Sequence, residues 1–191
     1  MKKQFSIVAL TILLVSTTSF AQTKEASLKK WGLETDLVQP FLPEVGIIRI
    51  TATHTITKTI KKNRGDLLLG IYLRPNVKHD VVEKINEYMG VLGYRQYIGK
   101  AFNIEAKLNV GYAWGNKNLI DGKDYETSTV FWEWNMGYKF DFAKKEHHNF
   151  YLMPQFGMIG NARGENTVNI GPRGGKSDTF IQGSLVFGIN F

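Results

Sequence analysis

The chain has 191 residues, no cysteine, and 24 basic against 17 acidic side chains, a formal charge of +7. Without thiols it has neither disulfides nor thiolate metal sites, so packing and hydrogen bonds must hold it. No window after the N-terminal segment approaches the ~18 consecutive apolar residues of a membrane-spanning helix. The basic excess is spread along the chain, as at Lys61, Lys62 and Arg64 or Lys144 and Lys145, which argues against a nucleic-acid-binding block and suits solvated turns or anionic headgroups.

The first residues, MKKQFSIVALTILLVSTTSFAQ, have the form of a secretory signal. Lys2 and Lys3 give the positive start, Phe5–Val15 the short apolar run, and Ser19 and Ala21 the small residues before a cleavage site between Ala21 and Gln22. The competing reading is a short uncleaved anchor. Cleavage leaves 170 residues with a charge of +5, room for one domain with a sizeable core. Residues 22–29 are expected to form a periplasmic lead and 30–191 a single domain.

From there the pattern has period two. Eight strands are expected, over about 30–39, 45–58, 66–74, 87–98, 101–114, 128–142, 149–160 and 177–191. In the third, Leu67, Leu69, Ile71 and Leu73 oppose Asp66, Leu68, Gly70, Tyr72 and Arg74. In the fifth, Phe102 to Trp114 by twos oppose Asn103, Glu105, Lys107, Asn109 and Gly111; the sixth opposes Val130, Trp132, Trp134, Met136 and Tyr138 to Phe131, Glu133, Asn135, Gly137 and Lys139. Several segments reach or exceed the ~9–11 residues that cross a tilted bilayer, against ~5–6 in ordinary globular strands. Trp31, Tyr94, Tyr97, Phe102, Tyr112, Trp114, Trp132 and Phe140 fall near strand ends, as interfacial girdles would. The fold class expected is all-β: an eight-stranded antiparallel up-and-down transmembrane barrel with its apolar face on lipid. Within it Pro154 should mark a bulge or irregular register, and His54 should lie near the periplasmic headgroups.

The connections alternate. Those at 59–65, 99–100 and 143–148 are short; those at 75–86, 115–127 and 161–176 are longer, as expected of periplasmic turns and outer loops. The first, QPFLPE at 39–44, is short although it falls on the long side. In HDVVEKINEY, Asp80 and Glu83 have capping-box spacing, which would start a short helix; an irregular extension of the fourth strand is the alternative. Arg163, Arg173 and Lys176 in the last loop could meet lipopolysaccharide phosphates, or simply be solvated.

The chain stops on SLVFGINF, with Leu185, Phe187, Ile189 and Phe191 alternating to the last residue. This resembles the C-terminal signature that outer-membrane barrels present to the barrel-assembly machinery. The run GYRQYIGKAFNIEA, with VFWEWNMGYKFDF, is similar to small outer-membrane β-barrel proteins of Bacteroidota, which share the OmpA/OmpX-type eight-stranded barrel plan. That resemblance implies a Gram-negative outer-membrane location, lipid and lipopolysaccharide as neighbours, and the assembly machinery as a partner during biogenesis. It implies no reaction and no ligand.

Inward-facing candidates are the acids Glu34, Asp36, Asp66, Glu105, Glu133 and Asp141 and the bases Arg49, Arg74, Arg95, Lys107 and Lys139. Eight strands enclose a space that side chains just fill, so these should pair into a plug. Gly70, Gly93, Gly111, Gly137, Gly157 and Gly188 would make room for the long bases.

No catalytic residue, metal site or cofactor is expected. IGPRGGKS misses the phosphate-loop spacing, because Ile170 stands where glycine is required. No histidine has a serine two residues on, as outer-membrane lipid A deacylases require: the positions hold Ile56, Val81, Asn149 and Phe150. DGKDYE lacks the spacing of a calcium loop. The role expected is structural or interactive, displaying loops at the cell envelope. The alternatives are a narrow porin-like pore or transporter for small solutes, or a soluble exported calycin-like ligand binder.

Overall fold

The computed structural model describes residues 30–43, 45–57, 64–78, 82–144, 148–163 and 179–191. The signal and its Ala21–Gln22 junction lie outside the described residues, as do His79, Asp80, His147, Arg173, Lys176 and the IGPRGGKS loop up to Asp178. The strands are β1 (Trp31–Asp36), β2 (Ile48–Thr57), β3 (Gly65–Val77), β4 (Val82–Ile98), β5 (Phe102–Asn118), β6 (Tyr125–Tyr138), β7 (Phe140–Lys144), β8 (Asn149–Arg163) and β9 (Thr179–Asn190). Every pairing is antiparallel, sequence neighbours lie side by side, and β1 pairs with β9. The sheet therefore closes on itself. Phe191 completes the seam, donating its N–H to the Trp31 carbonyl at 3.0 Å and accepting from Trp31 at 3.3 Å.

Nine strands make eight staves, because β6 and β7 are one. Gly137 pairs with Gln155 and Phe140 with Leu152, so the register carries through the gap unchanged. The interruption lies opposite Met153 and Pro154, and proline has no N–H to give to the ladder. The expected irregular register at Pro154 is thus corrected: Pro154 keeps step with Leu185 on β9. The register shifts fall elsewhere, between Thr55 and Thr57, Arg74 and Val77, Val130 and Phe131, and Asp141 and Ala143.

The stagger follows from the register. From Leu33, whose partner on β9 is Ile189, the other way round runs through Ala52, Leu69, Leu92, Leu108, Trp132 and Gly160 and reaches β9 at Thr179. The circuit is offset by ten residues. With ~3.3 Å per residue and ~4.8 Å between strands, that shear tilts the strands by roughly 40°. β4 and β5, at 17 residues each, then span ~42 Å along the axis; β1, at six, spans ~15 Å.

The rim away from the termini is consequently uneven. The expected long loops at 75–86 and 115–127 are corrected: most of their residues extend β3, β4, β5 and β6, leaving only 78–81 and 119–124 between strands. Of the two readings of this stretch, the strand is observed over its described residues, with Val82 and Ile85 inside β4.

Alternation places one side chain set outside and the other inside. Leu33, Ile50, Leu69, Leu92, Leu108, Trp134, Phe156 and Met158 are exposed on the outer face; Leu68, Glu105, Asn109, Glu133 and Met153 are buried within. Aromatic pairs mark two levels of that outer face. Near the termini lie Trp31 with His54 (4.1 Å between ring centroids), Tyr138 with Phe140 (4.7 Å), and Phe142, Phe150 and Phe187. Toward the other rim Tyr88 stacks on Trp114 at 5.1 Å, beside Tyr112. Tyr97 corrects the expected girdle: it points inward and is buried.

Candidate functional site

The barrel interior concentrates the polar chemistry of the molecule. At mid-height six ionic groups alternate in sign across the lumen: Glu34, Arg95, Glu105, Lys107, Glu133 and Arg49. The Arg95 guanidinium donates to both Glu34 oxygens at 2.5 and 2.7 Å and through Nε to Glu105 at 2.7 Å. Lys107 Nζ bridges Glu105 at 2.7 Å and Glu133 at 3.3 Å, and Arg49 pairs with Glu133 at 2.8 and 2.9 Å. Three acids face three bases, so the chain is neutral as a whole. Each carboxylate also takes neutral donors: Tyr151 hydroxyl on Glu34, Asn135 and Gln155 amides on Glu105, Asn109 and Gln182 amides on Glu133. Such saturation is what allows charges to stay buried, since a charge left alone there costs several kcal/mol.

Toward the termini a second group forms. Arg64 grips Asp66 at 2.5 and 2.8 Å, Thr55 donates to Asp66 at 2.8 Å, and Arg64 lies 4.7 Å above the Tyr97 ring. Lys139 stands 3.8 Å over Tyr151.

Toward the other rim the lumen changes character. Ile47, Tyr72, Met89, Val91 and Phe131 form a buried apolar storey, with Val45 and Ile159 against it. Above it Glu87 accepts from Tyr72 at 2.7 Å and pairs with Arg74 at 3.6 Å, while Arg74 Nε reaches the Val45 carbonyl at 2.9 Å.

Two expected members sit differently. Asp141 is exposed at the rim, 3.8 Å from Lys139, and does not enter the mid-height chain. Asp36 is buried but caps a turn, accepting from the N–H groups of Val38 and Gln39 at 2.7 and 2.9 Å. The glycine expectation is corrected in part. A Cβ at Gly93 would lie 2.6 Å from Lys107 Cγ, as expected. At Gly188 it would strike the Tyr151 ring, at Gly137 Gln155, and at Gly70, Gly111 and Gly157 the neighbouring strand itself.

Sequence reasoning passed over Glu87, Tyr151, Gln155 and Gln182, set Tyr72, Asn109 and Asn135 on the inward face without giving them a partner, and put Tyr97 in the girdle. Their signal was available: Glu87, Met89, Val91, Gly93, Arg95 and Tyr97 share one parity on β4, so fixing Arg95 inward fixes the rest. Counting charges alone hid them.

A cavity of about 20 Å³, lined by Glu34, Asp36, Arg49, Arg95, Glu105 and Lys107 among others, has room for a water molecule. Ser184 Oγ bonds Gln155 at 3.3 Å, and among the described residues no group of three His, Asp or Glu side chains is placed to hold a metal ion. The tip between β5 and β6 is braced locally: Lys117 N–H to Asp124 at 2.7 Å, Ile120 N–H to Asn118 at 2.9 Å, and Tyr125 hydroxyl to Asp121. Leu119 and Ile120 stand exposed on it. Comparisons with protein families, curated proteins and solved structures give no match.

Proposed function

We propose that the protein is an outer-membrane barrel of Gram-negative type whose role is structural and interactive: a plugged, lipid-embedded scaffold that displays its taller rim. The observation that carries this is inverted polarity. Between the aromatic level at Trp31, Phe102, Tyr138 and Phe150 and that at Tyr88, Tyr112 and Trp114, the outward positions hold no Asp, Glu, Lys or Arg among the described residues. The buried charges all lie inside. In water this arrangement would leave a wide apolar belt exposed, while in a bilayer it matches an outward band ~25 Å tall.

On β5 the belt runs from Phe102 to Trp114, ~30 Å along the axis at the tilt given above. Export through the N-terminal signal, assembly through the terminal Leu185–Phe191 pattern, termini on the periplasmic side and the resemblance to small Bacteroidota barrels belong to the same proposal. So do lipids and lipopolysaccharide as its surroundings and the absence of an enzymatic role. The mid-height chain of ion pairs supports a closed lumen over a pore.

The test is fractionation with heat-modifiable gel migration, followed by planar-bilayer recording. The proposal expects recovery in outer membranes, faster migration of the unheated band, and no steady conductance. Recovery as a soluble periplasmic protein would overturn it; a defined single-channel current would overturn the closed lumen.

A further inference from the structure

The lowest part of the far rim is the β1–β2 connection. By the stagger of the barrel, β1 ends ~20 Å and β2 begins ~14 Å below the height of Trp114 on β5, measured along the axis. The connection therefore lies inside the apolar belt, short of its upper aromatic level. Its side chains match that height: Phe41 is 83% exposed, and Leu37, Val38 and Leu42 are exposed beside Ile48, Ile50 and Ile181.

Its backbone supplies a second, independent observation. Irregular chain facing hydrocarbon is normally excluded, because each unpaired N–H there costs several kcal/mol. Here every described donor is used. Leu37 N–H reaches the Leu185 carbonyl at 2.8 Å; Val38 and Gln39 reach Asp36. Phe41 N–H goes to Val38 at 3.1 Å, Leu42 to Gln39 at 3.4 Å, and Val45 and Gly46 to Leu42 at 3.2 and 3.3 Å. Pro40 and Pro43 have no N–H to offer. The amide of Gln39 turns inward to Gln182 and the Gly183 carbonyl, both at 3.3 Å. Glu44 lies outside the described residues.

We infer that residues 37–42 of this connection form a lipid-contact strap, immersed in the acyl chains of the leaflet that surrounds the taller rim, with Phe41 as its most exposed side chain. This rests on the membrane reading above. The partner is aliphatic chain, since the strap presents apolar side chains and a backbone with its donors already satisfied. A short, proline-containing loop on the long-loop side is then a wall segment rather than a displayed loop. At the far end of the connection Val45 packs against the buried apolar storey to which Ile47 belongs.

Because the chain lacks cysteine, single nitroxide labels read this directly. The variants are F41C, L42C, L69C and L119C, each refolded as the full barrel into phosphatidylcholine vesicles. The expected result is stronger relaxation by oxygen than by a water-soluble nickel chelate at positions 41, 42 and 69, with the order reversed at 119. Nickel-dominated relaxation at 41 and 42 with oxygen-dominated relaxation at 69 would overturn the strap and leave the barrel reading intact. Nickel-dominated relaxation at all four would overturn both.

Discussion

The middle and the upper storey of the lumen fill similar space by opposite means. In the middle, Glu34, Arg95, Glu105, Lys107, Glu133 and Arg49 hold one another through directed bonds of 2.5–3.3 Å. Above, Ile47, Met89, Val91 and Phe131 fill the barrel by contact, and Tyr72 adds a single hydroxyl bond to Glu87. Directed bonds leave a penalty behind when one partner goes; contact leaves only a gap. The two regions should therefore respond differently to substitution.

Arg95→Met should be the most damaging single change, because it takes the guanidinium from Glu34 and leaves Glu105 with Lys107 as its cation. We expect a loss of about 3–5 kcal/mol, read from urea titration of the folded gel band. A smaller value, near that of an ordinary core truncation, would erase the distinction between the storeys. Arg49→Met and Glu133→Leu should each destabilise strongly, while the double variant should fall short of their sum by roughly 1–3 kcal/mol. Strict additivity in that cycle would show that Lys107, rather than Arg49, carries the Glu133 charge. In the apolar storey, Phe131→Leu keeps the chemistry and changes only shape, and should cost no more than about 1.5 kcal/mol.

The smallest effect belongs to the β5–β6 tip, outside the belt. There the hydrogen bond from Tyr125 holds the Asp121 carboxyl below its ordinary range. The bond's contribution is therefore present above the ordinary carboxylate range and is lost as pH falls through the lowered value. Tyr125→Phe should move the Asp121 titration upward in a carboxyl NMR experiment without changing the unfolding midpoint of the barrel. An unmoved titration would mean that the Lys123 backbone N–H, bonded at 3.1 Å, suffices.

How much was legible follows the same division. Period-two alternation is local, so the eight staves and the inward parity of Glu105, Lys107 and Glu133 could be read from β5 and β6 alone. Strand ends were less visible. β4 and β5 run on past Tyr88 and Trp114 into Lys84, Asn116 and Asn118, where polar residues read as loop although the ladder continues. Partner choice was not legible at all. Arg95 meets Glu34 only because a ten-residue shear brings β1 across the lumen from β4, and that offset is a property of closure. Asp36 lines the lumen cavity, and its further role as a turn cap was not legible because it depends on where β1 stops.

The most direct test of the account is a nitroxide scan of Ile104, Ala106, Leu108, Val110 and Tyr112 as single-cysteine variants in vesicles. The account predicts mobile labels relaxed by oxygen at every one of these sites, with the effect deepest near Leu108. Immobilised labels reached by neither oxygen nor nickel would place a second protein layer against this face and contradict it.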